Sequence, residues 1–302
     1  MKLLASTWME LQEEHESRAD HLTRAHSERR ARGEKHAVED FMFSYYRLSV
    51  AKLREWHPGN GVTLKGTDEE LAEFRSPTHY TRTADGLTLN SVPLIEKRHS
   101  TISYALNLLE RTASRPARFG CFGLHEWAMV YGLEEGDQRH TQHQLRLGQD
   151  GTDAVVDAGN LVCTHFDAYR FFTPPAVPLN RDDLTRESQP EMDQPGCLHA
   201  NMDLYRWSSK MLPLVPSDLV LDTFELARDI RTLDMAASPY DLSEVGLDPI
   251  QIETAEGKAE YARAQRIFSA RSQVLRHRLL DTLRPLAQGL ISAPKIGSER
   301  RN

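Results

Sequence analysis

The stretch RFGCFGLHEWAMVY, from Arg118 to Tyr131, constrains this chain more than any other. It places two adjacent ionisable residues, His125 and Glu126, inside an apolar, glycine-bearing run of the kind that packs into a core. A charge in such a place must be paired, hydrogen-bonded or neutralised, because an isolated buried charge is costly. The pair is therefore either a structural ion pair in a helical core or a reactive site. Recurrence favours the site. LVCTHFDAYRFF carries His165 and Asp167, PGCLHANMDLYRW carries His199 and Asp203, and EKHAVEDFMFSYY carries His36 and Asp40.

A chain of 302 residues can bury a sizeable core, and no linker divides it. The expectation is one mainly α domain over residues 1–302, globular and helical, with a few short strands or hairpins. Hydrophobic and charged fractions of 39% and 27% are those of an ordinary folded protein. No apolar run is long enough to span a membrane, and MKLLASTWMELQEEHES turns acidic where a signal peptide needs its apolar segment. A cytoplasmic location with no membrane partner is expected. Three cysteines, an odd number, argue against a disulfide framework. Cys121, Cys163 and Cys197 each stand shortly before a motif histidine, but the paired spacings of structural zinc sites are missing, so packing is the favoured role.

The formal net charge of −7 offers no general attraction to a polyanion. DNA contact would rest on the locally basic HLTRAHSERRARGEKH, with Arg29, Arg30 and Arg32 at its centre.

Along the chain, Thr7 and Glu10 form a capping-box pattern ahead of Trp8, Leu11, His15, Ala19 and Leu22, predicting an amphipathic helix within residues 1–33. A second helix from about Ala37 would put His36 and Asp40 on one face, and a third would reach Trp56 before His57-Pro58-Gly59. Thr67 with Glu70 caps a short helix, and ADGL at Ala84 to Leu87 marks a hairpin in a peripheral region. Helical spacing resumes over Ser100–Ala113. FGCFG leads into a helix at Leu124, whose first turn would stabilise a charged Glu126. A polar connection follows. Asn160–Cys163 is expected as a short strand, HFDAYRFF as a helix, and 176–196 as a long loop of the kind that forms lids. Helices are then expected over GCLHANMDLYRWSSK, from Ser217 with Val220, Phe224, Ala227, Ile230 and Leu233 inward, and over 254–288, ahead of a disordered tail at 289–302.

KHAVEDFMFSYY, the WHPG turn, RFGCFGLHEWAMVYG, CTHFDAYRFFTPPAVPLN, QPGCLHANMDLYRW and DTFELARDIRTLDMAASPYDL together resemble an actinobacterial family usually labelled 3-methyladenine DNA glycosylase. The resemblance runs from about Arg30 to Leu286, and departs from the family at RLSVAKL after Tyr46, where a proline is expected. It implies hydrolysis of the N-glycosidic bond of an alkylated or modified nucleobase, in DNA or in a nucleoside-like substrate, and no cofactor. The helix-hairpin-helix glycine loop and zinc-snap cysteines of well-understood alkyl-purine glycosylases are not in this sequence.

Such chemistry needs a carboxylate near a developing oxocarbenium ion, a group that orients water, and aromatic faces that stack the base. Glu126 or Asp203 suits the first and His125 or His199 the second. Trp127, Tyr131, Phe166 and Tyr205 are candidates to stack, with Asn201 a further polar contact. Asp203 is the preferred carboxylate. The alternative is a non-haem metal enzyme on a small molecule, with His36, Asp40, His125, Glu126, His165, Asp167, His199 and Asp203 converging on iron, manganese or zinc. A non-enzymatic nucleic-acid or partner-binding protein ranks third.

Overall fold

The computed structural model describes residues 1–134 and 143–291. Its α-helices are α1 (Ala5–Ala31), α2 (Glu39–Ser44), α3 (Val50–Arg54), α4 (Asp68–Ala72), α5 (Ser91–Ser114), α6 (Leu124–Ala128), α7 (Gly148–Asp157), α8 (Phe166–Tyr169), α9 (Gln189–Met192), α10 (Leu198–Lys210), α11 (Ser217–Ala236) and α12 (Ala255–Ile291). Strands β1 (Lys2–Leu3), β2 (Thr63–Leu64), β3 (Tyr80–Thr83) and β4 (Gly86–Leu89) form one small sheet in the order β1-β2-β4-β3. The fold is mainly α, as expected. No helix among the described residues is long and apolar enough to cross a membrane.

The core sits where α10 and α11 pack on each other and on α12, which also runs along α5. Val220, Phe224, Ala227 and Ile230 of α11 are buried at helical spacing, facing a core that includes Leu204, Leu279 and Leu283. Leu233, expected on the same stripe, is only half-buried; Arg231 and Asp234 turn inward in its place. A separate cluster of Trp8, Trp56, Leu64, Leu71 and Phe74 lies against the sheet, away from the site.

Several expected boundaries move, each for a local reason. α1 starts at Ala5, ahead of the Thr7–Glu10 pattern, because β1 pairs with β2 and sets the chain's entry into the helix. Its buried stripe runs through Gln12 while Leu11 stays exposed, since Gln12 binds the backbone of Glu73 and Arg75. The break between α2 and α3 needs no proline: Arg47 takes φ 57 there. The capping box on α4 forms between Thr67 and Glu70. At the hairpin, a Cβ on Gly86 would lie 2.1 Å from the Leu64 carbonyl oxygen, so only glycine lets β4 approach β2.

Asn160–Cys163 forms no strand. Its neighbour is a side chain: Asn180 Oδ1 accepts from Cys163 N at 2.8 Å and Asn180 Nδ2 donates to Cys163 O at 3.1 Å. The polar connection contains α7, where Thr152 and Val156 are buried and Gln149 bonds Asp153 at 2.8 Å. The expected lid at 176–196 is a packed wall, with Leu184, Gln189, Asp193 and Gln194 buried. Of the tail placed at 289–302, residues 289–291 complete α12 and the rest lie outside the described residues.

Candidate active site

Three of the four histidine-and-acid motifs meet. The ring centroids of His125 and His199 are 4.5 Å apart and those of His165 and His199 5.6 Å. The local backbone is built for this. Phe122 at φ 48 and Gly123 at φ 76 turn the chain sharply into α6, and a left-handed Phe122 is a strained position of the kind found at functional sites. Gly196 lets the start of α10 lie against the segment before α6, since a Cβ there would sit 2.2 Å from the Arg118 carbonyl oxygen.

His125 Nε2 lies 3.0 Å from Asp234 Oδ1, and Arg231 Nη1 donates to Glu126 Oε1 at 2.8 Å and to Asp234 Oδ2 at 3.2 Å. Burial depresses the His125 pKa, but the Asp234 charge and the Cys121 contact reverse this and carry it well above the usual value. Asp234 is held far below the carboxylate range, where burial is overcome by His125, His199 and Arg231. Glu126 moves up, burial exceeding the pull of Arg231. The expected help from the helix start fails because the Glu126 N–H already bonds Gly123 O at 3.0 Å. His199 is lowered by burial and by the His125 charge.

Beside this group, His165 Nδ1 bonds Asp193 Oδ1 at 2.9 Å and its Nε2 faces Asp203 Oδ2 at 3.9 Å. Burial works against the His165 charge, and Asp193 outweighs it, raising the pKa to about 9. Asp167 is saturated with cations: Arg206, Arg170 at 3.0 Å and Arg186 at 3.4 Å. Burial would raise it, and those arginines hold it low. Asp203 is raised by burial.

Two cavities flank His199. One of about 300 Å³ is walled by Phe41, Tyr45, Phe171 and Met129, with Glu126, Asp167, His199 and Arg231 reaching into it. The other, about 420 Å³, is lined by all three cysteines, His125 and Tyr261 among others. Among the described residues no cysteine joins a close group of possible metal-ligand atoms.

Several expected site residues lie elsewhere. His36 and Asp40 are in the wall of a different region: Asp40 accepts from His36 N at 2.9 Å and contacts His26 Nδ1 at 3.1 Å, because His36 precedes α2 and acts as a local cap partner. Trp127 is fully buried with its Nε1 donating to Ala237 O, and Tyr205 packs between Tyr46 and Phe224. Tyr131 bonds Asp157 at the surface, and Phe166 lies under Arg186. Asn201 bonds Pro195 O and Arg276. None of these five lines the aromatic cavity, and neither does Asp203, whose place Glu126 and Asp167 take. At helical spacing in an apolar sequence, Trp127 and Tyr205 gain more from core burial than a cavity wall would give.

The rings that do form the wall are Phe41, Tyr45 and Phe171, and the missed polar partners are Asp193, Arg206, Arg231 and Asp234. Arg231 and Asp234 carried a signal, since they stand four and seven residues after Ala227, on the buried stripe of α11. Asp193 carried none, because only the fold brings 176–196 back onto His165. No known protein family, curated protein or solved structure matches the chain.

Proposed function

We propose that the protein is a hydrolase that cleaves the N-glycosidic bond of a small nucleoside-like substrate carrying a modified base. The observation that carries this reading is the aromatic cavity of about 300 Å³ with Glu126 and Asp167 in its lining, at the lower limit of small-ligand sites. A flat base stacks against Phe41, Tyr45 or Phe171, while Glu126 faces the sugar carbon and draws the proton from an attacking water. In the reaction the carbon–nitrogen bond breaks with its electron pair leaving on the base. The water oxygen bonds to the carbon, and the water's proton ends on the base nitrogen. Arg231 holds Glu126 in place from behind.

A free nucleoside suits the surface better than duplex DNA. Arg29 is already paired with Glu39 and Arg32 with Glu34, at 2.7 Å for the latter, so two of the three arginines at the centre of the basic stretch are held within the protein.

The test is release of free base, followed by liquid chromatography, from a panel of natural and N-alkylated nucleosides and from an alkylated oligonucleotide. Expected is release from at least one nucleoside, with Glu126→Gln slower by about a hundredfold, the scale of losing one charge stabiliser. No release from any of these substrates sinks the proposal.

A further inference from the structure

His125 and Asp234 are 3% and 0% exposed, and their Nε2 and Oδ1 atoms approach to 3.0 Å. Yet neither atom has a hydrogen-bond partner. The contact is an ion pair without an aligned N–H···O bond, so both atoms keep a free direction in which to take a ligand. Two ligand atoms each about 2.1 Å from one tetrahedral ion are about 3.4 Å apart, a few tenths of an ångström wider than the separation here.

The rest of the surroundings hold these atoms in that pose. Cys121 Sγ contacts His125 Nδ1 at 3.5 Å, on the far side of the ring. Arg231 takes Asp234 Oδ2, leaving Oδ1 facing inward. Partners behind a ligand that fix its orientation are a regular feature of metal sites. His199 rests on ring contacts with His125 and His165, and one ligand atom from each of His125, Glu126, His199 and Asp234 lies within 4.8 Å of all the others.

From this we infer that His125, His199 and Asp234 hold a divalent metal ion, with Glu126 beside it. Two imidazoles and a carboxylate suit zinc, and three protein ligands leave a position open for water. Glu126 and His199 line the aromatic cavity, so that water reaches the substrate side. The ion supplies a water acidified enough to attack at neutral pH. The neighbouring trio of His165, Asp167 and Asp203 is equally close-set, but three arginines already occupy Asp167 and no atom of the trio is left buried without a partner, so it is an ion-pair network.

This inference deepens the hydrolase reading but is tested without it. The full chain, stripped with chelator and dialysed, is titrated with zinc chloride by calorimetry, and its melting temperature is followed with and without zinc. Expected is one zinc per chain and a zinc-dependent rise in melting temperature. His199→Ala, at a half-buried position that tolerates loss of the ring, should weaken zinc binding at least tenfold, with His125→Gln and Asp234→Asn doing the same where circular dichroism shows them folded. His26→Gln, in the separate cluster near Asp40, should bind zinc as the wild type does. Absence of zinc binding, or zinc binding untouched by His199→Ala, overturns the site. Zinc bound at the site without any base release leaves the ion standing and removes the hydrolase, whereas base release by a chain that takes up no zinc does the reverse.

Discussion

His36 with Asp40 and His125 with Asp234 are the same pair of residue types in two settings, and they end in opposite states. In the outer pair, Asp40 accepts from the His36 backbone, and His36 Nδ1 accepts from the Val38 and Glu39 N–H groups, each at 3.3 Å. Those atoms organise the entry into α2. In the inner pair, helix backbones satisfy themselves, so the side-chain atoms are left over, and His125 Nε2 and Asp234 Oδ1 face each other at 3.0 Å, enclosed and without an aligned hydrogen bond. A histidine and an acid close in sequence tend to serve local backbone needs. Brought together from distant helices, they are left to each other and need a counter-charge to survive burial.

That contrast breaks most visibly at Arg231. Arg231→Met leaves Glu126 and Asp234 enclosed without their shared cation, and should cost about 3–5 kcal/mol in urea unfolding. A loss below about 1 kcal/mol would mean that the inner group does not depend on its counter-charge.

The second test concerns a buried histidine with no strong acid partner. His57, near the sheet, is driven down to about 4 by burial, and Tyr80 stacks on it with ring centroids 6.0 Å apart. The unfolded chain binds a proton at about pH 6.5 and the folded chain does not until about pH 4. Stability from this group is therefore complete above pH 6.5, falls as the pH drops, and levels off below about 4, a loss of about 3 kcal/mol at most. The difference in unfolding free energy between wild type and His57→Asn, measured by urea titration across that window, should change by this amount. A difference that stays constant with pH would rule out a neutral buried His57.

The smallest effect belongs to the outer pair. Asp40→Ala removes a cap-type contact, and a cost of about 1 kcal/mol is expected, with zinc uptake and base release unchanged. Loss of either function in a folded Asp40→Ala chain would place the outer pair in the site after all.

Some of this architecture was written locally. The helical class, the stripe of α11, the capping box of α4, the hairpin at Ala84–Leu87 and the turn into α6 all follow from spacing, glycine placement and side-chain size within a few residues. That His125, Glu126, His165 and His199 come together was legible too, because ionisable residues in apolar runs are costly wherever the run packs and gain from one another's company. Which acid faces which histidine was not. Asp234 comes from α11, Asp193 from the wall after α8, Phe41 from α2 and Tyr45 from just beyond it, so each contact depends on segments separated by long stretches of chain. The same limit explains Trp127, Tyr205 and Asp203. Periodicity shows that a side chain turns inward, but whether it meets a cavity or another side chain is decided by how neighbouring helices fill the space.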